Sequence, residues 1–158
     1  MQSINPATEE VIKEFQEHSN QDIENIITEA ENECQFFRNS SVNDRSIILL
    51  RIAESLRNQS DELSQLITQE MGKPVKESKA EIAKCALVCD YYAKEGPSFL
   101  KPQIIQTEAS YSAVHFEPLG LILAVMPWNF PFWQVFRFAA PALMAGNGMI
   151  LKHSSGVS

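Results

Sequence analysis

The sequence predicts an α/β fold, with a set of helices ahead of a parallel βαβ unit. Three observations point there. Leu121 to Met126, LILAVM, is a continuous apolar run of strand length, the pattern of a strand buried on both faces of a parallel sheet. Pro131 suits the first turn of a helix that runs to about Ala145, where Gly146-Asn147-Gly148 ends it. Met149-Ile150-Leu151 then reads as a second buried strand, with Lys152 and His153 at its C-terminal end. A two-stranded parallel sheet covers itself poorly, so the chain is expected to be a piece of a larger protein.

The preceding elements follow from local signals. Asn5-Pro6 marks a turn before the β-like run Val11 to Phe15, together a hairpin or an extended arm. Ser19 or Asn20 can start a helix, and Ile23, Ile26, Ile27, Ala30, Cys34 and Phe37 recur at helical spacing until the loop around Asn39 to Ser41. The next helix spans about Asn43 to Met71, with a break near Asn58 to Asp61. Its stripe is Ile48, Leu49, Ile52, Ala53, Leu56, Leu63, Leu66 and Ile67. Gly72-Lys73-Pro74 stops it, because Gly admits a left-handed cap and Pro refuses to continue a helix. A third helix covers about Val75 to Lys94, with Val75, Ile82, Cys85, Ala86, Cys89 and Tyr92 along one side, and Gly96-Pro97 closes it. Gln103 to Glu117 reads as two strands around a turn near Glu108 to Ser110. Tyr111, Ala113 and His115 there alternate with Ser112, Val114 and Phe116. Pro118-Leu119-Gly120 separates this pair from LILAVM.

Composition narrows the partners. The 158 residues are 44% hydrophobic and 21% charged, an ordinary globular mixture of about one domain's length. A net charge of -7 argues against a nucleic-acid partner, since nothing would neutralise a run of phosphates. It leaves room for a small anion held by one local cation. No apolar run approaches the ~20 residues that cross a bilayer, so no membrane partner is expected. Three cysteines without a signal-peptide pattern suit a reducing compartment, and a cytoplasmic protein is expected. Cys85 and Cys89 share a helix face as small core residues. No metal site is expected, because no His or further Cys lies near them to complete four ligands.

The chemistry gathers at two strand ends. Ligands of open α/β sheets bind beyond the carboxyl ends of the strands, here Met126-Pro127-Trp128-Asn129 and Lys152-His153-Ser154-Ser155. A right-handed crossover brings these side by side. Asn129 is a polar amide inside MPWNFPFW, a run stiffened by Pro127 and Pro131. An amide donor in a dry pocket suits a developing oxyanion; the alternative is an Asn that only satisfies loop backbone. Lys152 is either a ligand-binding cation or a surface lysine after a strand. No G-x-G-x-x-G occurs anywhere, so the usual dinucleotide fingerprint is absent.

Five segments together resemble the aldehyde dehydrogenase superfamily. They are Pro127-Trp128-Asn129-Phe130-Pro131, Pro141-Ala142-Leu143, Ala145-Gly146-Asn147 with Leu151-Lys152, Asn5-Pro6-Ala7-Thr8, and Glu70-Met71-Gly72-Lys73-Pro74. They span essentially the whole chain in the family's order, and the likeness is closest to succinate-semialdehyde dehydrogenases. The resemblance implies the N-terminal part of the aldehyde dehydrogenase fold: helices packed on the start of a parallel Rossmann-like sheet, plus a protruding β-hairpin. Residues 1–102 and 119–158 would form part of the NAD(P)-binding domain. Residues 103–118 would be an oligomerisation hairpin pairing with a neighbouring copy, and the catalytic domain would lie outside this chain.

The same resemblance implies roles. Asn129 would be the side-chain donor of the oxyanion hole, steadying the thiohemiacetal formed when a cysteine thiolate attacks an aldehyde. Val125, Met126, Pro127 and Trp128 would line the nicotinamide cofactor, and Lys152 would bind the hydroxyls of its adenosine ribose. Ser155 stands where many NAD-preferring members have glutamate, so it removes a repulsion against a 2′-phosphate and permits NADP as well as NAD; alternatively it is a small residue without selectivity. His153 replaces a common proline. Arg137, eight residues after Asn129, matches an arginine used on the substrate carboxylate, a group a guanidinium grips with two hydrogen bonds; a structural ion pair is the alternative. Trp133 either lines the same tunnel or is a core aromatic. The family's nucleophilic cysteine and general-base glutamate would lie downstream, so this chain alone is expected to be inactive, as part of an enzyme or as a remnant that only associates with other subunits.

Overall fold

The structure, a computed structural model, describes residues 1–157. Strands β1 (Gln2–Ile4) and β2 (Val11–Glu14) form an antiparallel N-terminal hairpin. Its turn is fastened by Asn5, whose Oδ1 accepts from Ala7 N–H at 2.9 Å. Helix α1 covers Asn20–Arg38, α2 Val42–Asn58, α3 Ser60–Met71 and α4 Val75–Phe99. Ser19 and Ser41 begin α1 and α2 as reciprocal capping boxes with Asp22 and Asp44, the arrangement that satisfies two free N–H groups at once. The expected break between Asn58 and Asp61 separates α2 from α3. Gly72 ends α3 at φ 74°, the left-handed cap that a side chain would disfavour.

Helix α4 continues past the expected stop at Gly96-Pro97. Pro97 lacks one N–H, a loss tolerable in a last turn, and Gly96 serves packing rather than termination. A Cβ at Gly96 would overlap Met144 Cγ, so the missing side chain lets α4 and α5 (Pro131–Met144) approach closely. Leu49, Ala53, Leu56, Ile67, Ile82, Cys85, Cys89, Ala140 and Met144 make one core shared by α2, α3, α4 and α5. No helix among the described residues is long and apolar enough to cross a membrane.

Strands β5 (Leu121–Val125) and β6 (Gly148–Lys152) pair in parallel, Leu121 opposite Gly148 and Val125 opposite Lys152. The βαβ unit is therefore present. The expectation that LILAVM is buried on both faces is not met. Ala124 is buried, but Leu123 is 67% and Val125 65% exposed. Those two point to the same side by the two-residue alternation of a strand. That side is covered only at its start, where Cys34 of α1 packs against Gly148 and Leu121. Helix α1 is covered equally thinly: of its apolar stripe only Cys34 is buried, while Ile23 and Ile26 stay exposed.

The Gln103 to Glu117 segment forms a much shorter ladder than expected. Strands β3 (Gln103–Ile104) and β4 (Ala113–Val114) pair antiparallel, and Ile105 N–H adds one bond to Ser112 O at 2.9 Å. Ile104, Tyr111, Val114 and Phe116 are all exposed. With these apolar side chains in water, little burial extends the pairing.

Candidate functional site at the carboxyl edge of the sheet

The two strand ends singled out in the sequence do meet. Met126 N–H donates to Lys152 O at 3.0 Å, continuing the β5–β6 ladder by one bond. Residues Met126 to Asn129 and Lys152 to Ser155 thus leave the sheet at one edge. Trp128 is 58% exposed, and Asn129, Lys152 and Ser155 are exposed with it. Because Val125 and Lys152 are register partners, their side chains share the bare face. His153 turns its Nδ1 to Ser154 O at 2.8 Å.

Asn129 is held from below by groups the sequence reading did not single out. Lys73 Nζ donates to Asn129 O at 3.3 Å and sits 3.9 Å from the centroid of the Phe130 ring. The same ammonium is ion-paired with Glu81 Oε2. Glu81 Oε1 accepts from the N–H groups of Phe132 at 3.0 Å and Trp133 at 2.9 Å. Helix α5 has no side-chain cap of its own, so a carboxylate from α4 satisfies its first free N–H groups and meets the positive end of its dipole. Lys73 and Glu81 are 8% and 4% exposed. A signal for both existed. Lys73 belongs to the Glu70–Pro74 segment, and Glu81 puts a charge beside Ile82 on the buried face of α4, where an unpaired carboxylate would be costly.

Trp133 and Arg137 lie one turn apart on α5 and share a face. Trp133 is partly buried against the helical core, and Lys84 Nζ stands 3.9 Å from its ring centroid. With Phe130, Glu77 and Lys84 it lines a surface groove. Arg137 is exposed and forms no ion pair with the described residues. On the other side of α5 an apolar cavity of about 210 Å³ is bounded by Ile67, Met126, Pro127, Phe132 and Val157.

None of the three cysteines reaches this edge as a reactive thiol. All are free and buried. Burial pushes the Cys85 thiol up to about 12 and the Cys89 thiol up to about 11, with Glu81 and Asp90 adding negative charge nearby. A thiol that stays protonated is a poor nucleophile. Among the described residues no three His, Cys, Asp or Glu side chains gather to hold a metal ion.

The aldehyde dehydrogenase family profile matches residues 1–158. A protein of Synechocystis sp. named as a probable NADP(+) succinate-semialdehyde dehydrogenase is 47% identical over 98% of this chain and 34% of its own length. An NAD(P)+ succinate semialdehyde dehydrogenase of Escherichia coli is 44% identical over 98% of this chain and 34% of its own. The chain thus spans about a third of the length of the curated relatives it matches. The crystal structure of a succinic semialdehyde dehydrogenase from Streptococcus pyogenes, in complex with NADP+, superposes with a TM-score of 0.94. It is 33% identical over 99% of this chain and 34% of its own. With the matching segments placed in the turn of the N-terminal hairpin, in the helical body and at the sheet edge, and the family profile matched from end to end, the chain belongs to the aldehyde dehydrogenase family.

Proposed function

We propose that this chain is the N-terminal portion of an NAD(P)-dependent aldehyde dehydrogenase that oxidises a short carboxylated aldehyde, succinate semialdehyde foremost, to the acid. One observation carries the reading: the Asn129 loop and Lys152 leave the sheet together, joined by the Met126–Lys152 hydrogen bond. The substrate named for the Synechocystis and Escherichia coli relatives supports the aldehyde. The NADP+ of the Streptococcus pyogenes structure supports the coenzyme.

In this reading the Asn129 carboxamide donates to the aldehyde oxygen as negative charge develops on it. Val125, Met126, Pro127 and Trp128 line the coenzyme, and Lys152 and Ser155 hold its ribose end. The edge suits NADP or NAD. An ammonium with no ion-pair partner among the described residues stands beside exposed apolar Val125, its register partner, and no carboxylate at Ser155 repels a 2′-phosphate. When bound, the nicotinamide supplies the hydride acceptor. Trp133 and Arg137 receive the far end of the substrate, the guanidinium gripping its carboxylate. Residues 1–102 with 119–158 form the coenzyme-binding part, and residues 103–118 pair with another copy in a cytoplasmic homo-oligomer. The protonated, buried thiols support inactivity of these residues by themselves. The exposed apolar hairpin favours a second reading, a subunit that only associates; aldehyde turnover by the full-length protein separates the two.

The test is Arg137→Ala in the full-length enzyme. Losing a charge-assisted bond worth about 1.5–3 kcal/mol raises KM for succinate semialdehyde roughly 10- to 100-fold and leaves an uncharged aldehyde of equal length nearly unaffected. Equal effects on both aldehydes would exclude the carboxylate role. Ser155→Glu lowers kcat/KM with NADP far more than with NAD; an unchanged ratio would exclude coenzyme selection by this residue.

A further inference from the structure

The prolines on either side of Asn129 restrict φ, but they do not say where the loop sits relative to the helices. That is decided by a buried ion pair. Four residues of the loop and of the first turn of α5 touch one Lys–Glu couple: Asn129 through its carbonyl, Phe130 through its ring, and Phe132 and Trp133 through their N–H groups. The three directions of the ammonium are taken by Glu81 Oε2, the Asn129 carbonyl and the Phe130 ring face. Both carboxylate oxygens of Glu81 are occupied as well. A buried pair of this kind contributes little to stability compared with apolar side chains of the same volume. Its demands on geometry are strict, however, because each unpaired direction would be costly.

We infer that Lys73 and Glu81 are the positioning couple of the oxyanion donor. Lys73 fixes the peptide plane that follows Asn129 and Glu81 fixes the helix start three residues on, while the Met126–Lys152 bond holds the loop upstream, so the carboxamide is carried by backbone anchored before and after it. The Glu70–Pro74 segment thereby acts on catalysis without touching substrate. The inference rests on the reading of Asn129 as that donor. It goes beyond it by assigning the residues that aim the donor.

The experiment is a double-mutant cycle on kcat in the full-length enzyme. Asn129→Ala alone lowers kcat about 10²–10³-fold, the usual cost of one oxyanion donor. Lys73→Met alone lowers kcat roughly 10- to 100-fold, the scale of a misplacement of about 1 Å, with KM for the coenzyme unchanged. In the Asn129→Ala background Lys73→Met lowers kcat less than about twofold, because coupled residues are not additive. An equal loss in both backgrounds, or a loss confined to thermal stability, overturns the inference and leaves the donor reading standing. An Asn129→Ala enzyme with full kcat overturns the donor reading itself and the inference with it. Should Lys73→Met fail to fold, Glu81→Gln takes its place under the same criteria, since it keeps an oxygen for the Phe132 and Trp133 N–H groups and loses the charge that pairs with Lys73.

Discussion

The helical body around α4 and the two-stranded β5–β6 sheet are both written in apolar residues, yet they end with opposite exposures. Leu49 in α2 is 1% exposed, while Leu123 in β5 is 67% exposed. The helices α2, α3, α4 and α5 enclose one another's stripes around Leu49, Ile82 and Met144. Strand β5 has one partner strand, one covered face and one bare face. The residues proposed to meet coenzyme and substrate, Val125, Trp128, Asn129, Lys152 and Arg137, are all exposed. Those that hold the Asn129 loop, Lys73 and Glu81, are buried in the closed region. The proposed recognition thus falls where the molecule is open, and the loop is held from where it is shut. That division suits a site in which a donor must be aimed accurately at a ligand arriving from outside.

The same substitution in the two regions measures that difference. Leu49→Ala leaves a cavity in a filled core and lowers the unfolding free energy by about 2–5 kcal/mol in urea denaturation. Leu123→Ala removes a side chain that is already largely in water and stays within about 0.5 kcal/mol. Equal losses at the two positions would mean that the bare face is covered in solution, by a second copy or by further chain. A longer chain sharpens the distinction: if more sheet or a helix packs on Leu123 there, its truncation cost rises toward that of Leu49.

Much of this division was legible in the sequence, and the failures have a common cause. Helical spacing gave α2 through α4, and the Gly72 cap and the βαβ order were readable from residue type alone. The meeting of Met126 to Asn129 with Lys152 followed from the handedness of the crossover. An apolar run shows that burial is wanted but not whether a neighbour is present. The two-sided burial of LILAVM, the full stripe of α1 and the long Gln103 to Glu117 strands were therefore all overestimated. Gly96 looked like a stop because its packing partner, Met144, is distant in sequence. Lys73 and Glu81 were missed for the opposite reason. A charge reads as surface until its counter-charge is known, and here that partner lies eight residues away, Lys73 in the connection before α4 and Glu81 inside it.

The helix caps extend the comparison to a smaller scale. Ser19 and Ser41 build the same capping box, with Asp22 N–H 3.2 Å from Ser19 Oγ and Asp44 N–H 3.1 Å from Ser41 Oγ. Their surroundings differ, because α2 carries Leu49, Ala53 and Leu56 into the core whereas α1 buries only Cys34. Ser41→Ala lowers global stability by about 1 kcal/mol, the usual cost of a lost cap, because α2 cannot loosen without opening the core. Ser19→Ala removes the same bonds, but its effect is local. Hydrogen exchange in the first turn of α1 speeds up while the urea midpoint hardly moves, as expected of a segment that opens below the global barrier. The Ser19 hydroxyl and N–H hold the Asp22 carboxyl below its usual range. A depressed folded-state value means that the carboxylate half of this box is complete above the ordinary aspartate range, near pH 4, and weakens as pH falls through the lower folded value. Acid should therefore loosen the start of α1 in the unmutated chain at the same place as Ser19→Ala but by less, because Ser19 Oγ still accepts from Asp22 N–H. A matching rise throughout α2 and α4 at the same pH would show instead that α1 is bound into the core as firmly as its neighbours.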